Sequence, residues 1–190
     1  MALNIIHHGG AEGVTGSCHE LRVSAEAADL GILIDCGLFQ GRDAEAASPE
    51  IDFPIEHIKA LVITHVHIDH VGRLPYLLAA GFSGPIICSK PTAMLLPSVL
   101  EDALKIGFTR DTRVIRQFLG LIESRLVPLG YNEWHSVWQE ADTGLSVRFQ
   151  RAGHILGSVY VECDVTVGQS QERVVFSGDL GASYAPLLPP

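Results

Sequence analysis

A layered α/β fold is the architecture this sequence predicts, on three observations. Apolar runs of strand length recur along the chain and stop at polar or glycine-rich turns. Over residues 61–88 a strand, a glycine-stopped helix and another strand follow one another, which is the order of a crossover unit. Imidazole and carboxylate groups gather at the strand ends, where open α/β sheets hold their ligands.

Taken in order, Leu3 to His8 and Leu21 to Val23 read as strands joined by the glycine-rich link from Gly9 to Cys18. Its glycines permit φ > 0 and close backbone approach, so the link can line a site. It lacks the lysine and helix of a phosphate-binding loop and is read as structural. His7, His8 and His19 have no ligand spacing and read as core or surface histidines. Leu30 to Gly37 is an apolar strand ending in Asp35 and a glycine turn. Residues 42–52 are polar and alanine-rich, a surface connection, and His57 reads as an ordinary surface residue. Leu61-Val62-Ile63 is the central strand, and Leu74 to Ala80 is a helix that stops at Gly81 before the strand Pro85 to Cys88. Thr92 to Lys105 predicts a helix interrupted at Pro97. Val114, Phe118, Leu121, Ile122 and Leu126 predict the apolar face of the next helix. Leu145, Val147 and Phe149 alternate with polar residues as one strand; Val159 to Cys163 and Arg173 to Phe176 are two more.

At 190 residues and 47% hydrophobic content the chain fits one globular domain with a sizeable core. A formal charge of −9 repels polyanions, so nucleic acid would need divalent cations or a basic partner to offset it. Cys18, Cys36, Cys88 and Cys163 form no C-x-x-C pair and suit reduced thiols. With no signal-like N-terminus and no run long enough to cross a bilayer, a cytoplasmic protein without membrane contact is expected.

The chemistry centres on Thr64-His65-Val66-His67-Ile68-Asp69-His70, at the end of the central strand. In extended chain His65 and His67 point the same way and can grip one cation. Asp69 and His70, where the chain turns into a helix, aim at a second position beside it. Three imidazoles and a carboxylate within six residues suit zinc. Asp35, at a neighbouring strand end, can accept an imidazole N–H and fix that ligand's orientation. His154 and Asp179, also at strand ends, are the expected additional ligands.

The order Asp35, His65-x-His67-x-Asp69-His70, His154, Asp179 resembles the metallo-β-lactamase superfamily. The segments Gly16 to His19, Ile34 to Gly41, Gly72 to Pro75, Ala152 to Ser158 and Phe176 to Gly181 resemble its β-CASP branch of RNA-processing nucleases, related to the mRNA 3′-end cleavage subunit. The resemblance implies a four-layer αββα sandwich, incomplete on its C-terminal side, with two zinc ions between the sheet edges. It implies that His65, His67 and His154 hold one zinc, that Asp69 and His70 hold the other, and that Asp179 bridges them. Asp69 and Asp179 are thereby the catalytic carboxylates. Two metals roughly 3.5–4 Å apart can share a hydroxide and neutralise charge in an in-line displacement, here hydrolysis of an RNA phosphodiester.

In that branch a second domain is inserted after the Asp179 motif, followed by an acidic residue, a leaving-group-protonating histidine and a late zinc-ligating histidine. This sequence ends at Ala185-Pro186-Leu187-Leu188-Pro189-Pro190 without them. Residues 1–190 are therefore expected to be the N-terminal, metallo-β-lactamase-like part of a longer enzyme, with an incomplete second metal site and weak or no activity alone. Exposed sheet edges are expected to favour self-association. Two other classes stay open: a thioesterase or lactonase of the same fold, and a non-catalytic RNA-processing scaffold.

Overall fold

The computed structural model describes residues 2–25, 28–46, 48–182 and 188; of the C-terminal residues 185–190 only Leu188 is therefore described. The elements are β1 (Ala2–Gly9), β2 (Cys18–Ala25), β3 (Ala28–Ile34), α1 (Asp43–Ala46), β4 (Ile58–Val62), α2 (Ile68–Val71), α3 (Leu74–Ala79) and β5 (Ile86–Ser89). They continue with α4 (Lys90–Gly107), α5 (Thr112–Arg125), β6 (Leu126–Leu129), β7 (Trp134–Glu140), β8 (Thr143–Arg151), β9 (Val159–Val167) and β10 (Ser170–Phe176).

Two sheets result. A six-stranded sheet runs β1-β2-β3-β4-β5-β6, antiparallel through β3 and parallel from β3 onward. A four-stranded antiparallel sheet runs β10-β9-β8-β7. The alternation of Leu145, Val147 and Phe149 turns those side chains inward, where they meet Leu21, Ile32, Ile34 and Val62 of the first sheet. The first sheet's other face buries Leu33 and Leu61 against Leu74, Leu77, Leu96, Leu100 and Ile122 of the helices. Three layers are thus described: helix, sheet, sheet. The fourth, helical layer of the predicted αββα sandwich is not found among the described residues. The second sheet's outer face is instead polar, with Arg148 paired to Glu162 and Arg173 to Asp164.

Several local readings change. Helix α4 runs unbroken through Pro97. The proline gives up one backbone hydrogen bond, while Leu96, Leu100 and Leu104, four apart, stay buried and hold the helix on the core. On α5 the buried stripe is Ile115 and Ile122 with half-buried Phe118 and Leu119, whereas Val114 and Leu121 face solvent. The helix carries apolar residues on two adjoining stripes, so periodicity alone admits either rotation. Leu126 belongs not to α5 but to β6, an edge strand, the position in a sheet that tolerates a proline such as Pro128. His57 is a half-buried partner of the buried carboxylate Glu20, 2.6 Å away, and His8 meets the same carboxylate at 2.9 Å.

Candidate metal centre

Every residue expected at the site comes from a turn at one end of the two sheets. Beyond β4, Ile63 still bonds to Ile87 of β5, and the chain then delivers fully buried Thr64 and His65. His67 follows as the N-cap residue of α2, its side chain making no capping bond and remaining exposed. The extended backbone does place the two imidazoles together, with His65 Nε2 3.0 Å from His67 Nδ1. From the other sheet, the turn between β8 and β9 brings His154 Nε2 to 3.2 Å from His67 Nδ1. The turn after β10 brings Asp179, whose Oδ2 lies 3.4 Å from His154 Nε2 and 3.8 Å from His65 Nε2. The donor atoms of His65, His67, His154 and Asp179 all lie within 4.8 Å of one another.

Asp179 faces two ways. Its Oδ1 lies 3.5 Å from Nε2 of buried His70, which is also 4.0 Å from Asp69 Oδ2. Asp69 and His70 therefore adjoin the first cluster across that one carboxylate. Asp35, behind them and 1% exposed, has φ +61°, a strained conformation that a short polar residue tolerates. Its Oδ1 accepts from the Thr64 backbone N–H at 2.8 Å, and its Oδ2 accepts from Thr64 Oγ1 at 2.8 Å and faces His70 Nδ1 at 2.7 Å. An N–H at Nδ1 directed to that carboxylate leaves His70 Nε2 as a free lone pair pointing at Asp69 and Asp179. Asp35→Ala should lower metal affinity by ~10–100-fold, through lost orientation of His70. Equilibrium dialysis against limiting zinc measures it.

Supports that the sequence reading missed surround these ligands. Ser158 Oγ accepts from the backbone N–H of His154, and Ser89 Oγ donates to the Gly157 carbonyl at 2.6 Å, tying the His154 turn to the start of α4. Arg73, 2% exposed, donates to the carbonyls of Gly37 and His8 and lies over the Phe39 ring, joining the end of β1 to the turn after β3 beneath the site. Spacing gave no sign of these roles, although Arg73 and Ser158 lie in the family-like flanks.

Burial pushes the His65 imidazole down to about 4, and burial followed by the neighbouring His154 lowers His67. Burial would lower His70 as well, but its hydrogen bond to Asp35 and the charges of Asp35, Asp179 and Asp69 raise it. His65 and His67 hence stay neutral near pH 7, the state in which ring nitrogens bind metals. In the metal-free chain, between the ordinary value of 6.5 and about 4, unfolding lets His65 take up a proton, so stability falls as pH drops. His70 contributes the opposite slope, with stability present below 6.5 and lost as pH rises through its folded value. Urea midpoints from pH 7 to pH 5 should fall less steeply for metal-free His65→Gln than for the parent chain.

The donor set fits a cation. The ring nitrogens of His65, His67 and His154 that converge at 3.0 and 3.2 Å can all turn lone pairs to one point when each ring carries its N–H on the other nitrogen, an arrangement that a cation stabilises. Imidazole and carboxylate are the ligands of divalent transition metals.

A two-sheet α/β sandwich whose turns from both sheets converge on such a cluster defines a metal-dependent class of protein. The profile of the metallo-beta-lactamase superfamily matches residues 25–189, and the chain belongs to that superfamily. The superfamily and fold read from the motifs are thus borne out. Over 190 residues the chain is 36% identical to Ribonuclease TTHA0252 of Thermus thermophilus, covering 98% of this chain and 40% of that protein. It is 33% identical to Transcription termination factor FttA of Methanococcus maripaludis, covering 84% of this chain and 25% of the relative. It is 28% identical to Integrator complex subunit 11 of Danio rerio, covering 90% and 28%. The chain therefore spans 40% or less of these curated relatives. Among solved structures, a metallo-beta-lactamase of Cronobacter sakazakii superposes with a TM-score of 0.51 at 17% identity, covering 93% of this chain and 57% of that one, a likeness of fold.

Proposed function

We propose that this chain is the metal-holding part of a zinc-dependent ribonuclease of the β-CASP type, which hydrolyses RNA phosphodiesters. The observation that carries the reading is Asp179, with one oxygen toward His65 and His154 and the other toward His70. That arrangement suits two cations sharing a carboxylate. His65, His67 and His154 would hold one zinc, Asp69 and His70 the other, with Asp179 between them. Bound there, the pair supplies Lewis acidity toward a phosphoryl oxygen and ionises water at neutral pH. The chain's own part is to hold that geometry. Asp35 fixes His70, Thr64 fixes Asp35, and Asp69 Oδ2, 4.0 Å from His70 Nε2, would share the second cation with it. The ribonuclease and Integrator relatives support RNA as the substrate class, and divalent cations offset the charge of −9 that would otherwise repel it.

Single-turnover assays of the zinc-loaded chain on end-labelled RNA, a thioester and a lactone test the proposal. Slow cleavage of RNA that Asp69→Asn abolishes is the expected result, since the second metal site of residues 1–190 is expected to be incomplete. Thioester or lactone turnover without RNA cleavage would replace the reading with a small-molecule hydrolase of the same fold.

A further inference from the structure

Beside the cluster opens a cavity of about 460 Å³, within the ~300–1,000 Å³ range of small-molecule sites. Asp35, His70 and Asp179 form one wall, and His7, Ser17 and His19 belong to another. These two histidines have no place among the metal ligands. They are cross-strand partners in the β1–β2 register, and their Nδ1 atoms face each other at 2.8 Å. A contact between two neutral imidazoles uses one ring's only N–H and the other ring's lone pair, so only the accepting ring keeps an N–H, at its Nε2; Ser17 Oγ, which donates to Asp35 Oδ2, accepts on its His19 side and makes His19 that ring. His19 Nε2 finds only Ser17 Oγ at 3.5 Å, a long and weak contact. The His19 ring lies nearly parallel to Phe176, at 16°. The mouth is apolar: Ile5, Val14 and Val175 line it and are 47%, 90% and 55% exposed.

A ring N–H within an apolar rim, next to a site for phosphodiester hydrolysis, matches a nucleotide, whose phosphate takes hydrogen bonds and whose base takes apolar contact. We propose that this cavity is a subsite for the nucleotide flanking the cleaved bond, with His19 donating from Nε2 to its phosphate, His7 holding that tautomer through the Nδ1 contact, and the rim of Ile5, Val14 and Val175 contacting its base. The inference rests on the ribonuclease reading. Because the opposite wall carries the carboxylates Asp35 and Asp179, an anion is repelled there until cations fill the cluster. Nucleotide binding and metal binding at this site are therefore coupled.

The test is calorimetric titration of a 5′-phosphorylated phosphorothioate dinucleotide into the zinc-loaded chain, into the metal-free chain, and into zinc-loaded His7→Ala and His19→Ala. We expect His19→Ala to bind the dinucleotide about 10-fold more weakly, as losing one hydrogen bond to a charged group implies, and His7→Ala to weaken it by less, through lost orientation of His19, with zinc content and zinc affinity unchanged in both. We also expect the metal-free chain to bind it at least as weakly, and inorganic phosphate alone to bind more weakly than the dinucleotide because it lacks the base. Unchanged dinucleotide affinity in both variants would overturn the subsite. So would a matching loss of zinc affinity, which would make the pair a brace between β1 and β2. RNA cleavage is scored separately: cleavage with histidine-independent binding overturns the subsite alone, and histidine-dependent binding with thioester or lactone turnover in place of RNA cleavage overturns the nuclease reading.

Discussion

Gly37→Ala should leave little folded protein, or cost more than about 4 kcal/mol where some folds. The new Cβ would sit 1.5 Å from the Asp69 carbonyl oxygen, 2.1 Å from its carbon and 2.7 Å from His70 N. No rotamer relieves this, because both partners are backbone. Nor is the backbone free to retreat. Cys36 N–H bonds to His70 O at 2.8 Å, Leu38 N–H to Ile68 O at 3.0 Å, and Ser17 N–H to the same Asp69 O at 2.9 Å. The Gly37 turn is thus laced to the segment that carries Asp69 and His70. Gly120→Ala is the control, since nothing lies within 4 Å of that site in helix α5. It should raise stability by about 0.5–1 kcal/mol. Urea unfolding followed by circular dichroism measures both; a Gly37→Ala midpoint equal to that of the parent chain would mean that the two turns are not packed as described.

His67→Ala should have the largest effect on metal binding with the least on the fold. His67 is exposed and makes no capping bond, so its removal leaves the metal-free core intact. Its Nδ1 nevertheless sits between His65 Nε2 and His154 Nε2, at 3.0 and 3.2 Å, and is the nitrogen linking the two sheets' contributions. Zinc affinity should fall by more than the ~10–100-fold expected of Asp35→Ala, which only loses an orienting contact. RNA hydrolysis should fall with it. Equal zinc occupancy for His67→Ala and the parent chain under limiting metal would show that the ligand set is misassigned.

The site was legible because its residues lie at strand ends. The alternation of extended chain put His65 beside His67, and the apolar runs showed where His154 and Asp179 would emerge. Residues joined through sheet register were not legible. His7 and His19 are twelve apart in sequence and meet only because β1 and β2 pair in one register across the link between Gly9 and Cys18. Glu20 with His8 and His57 was hidden for the same reason. Strand β6 was lost because four residues containing a proline read as a helix end, and the rotation of α5 because its apolar residues fill more than one stripe. The role of Arg73 was hidden because sequence does not show that the β1 carbonyl of His8 and the turn carrying Gly37 and Phe39 close over it.

The strand orders carry a further consequence. In each sheet every strand pairs with its neighbour in sequence, from β1 to β6 and from β7 to β10. Each new strand can therefore dock on an edge its predecessor has just completed, at modest loop-closure cost and without waiting for a distant segment. Assembly can keep pace with emergence of the chain from the ribosome. Asp35 and the histidine turn are then in place early, but the cluster stays open until β8, β9 and β10 deliver His154 and Asp179. Tight metal uptake would thus wait on the second sheet, because the four-residue cluster forms only once the turns carrying His154 and Asp179 have joined those of His65 and His67.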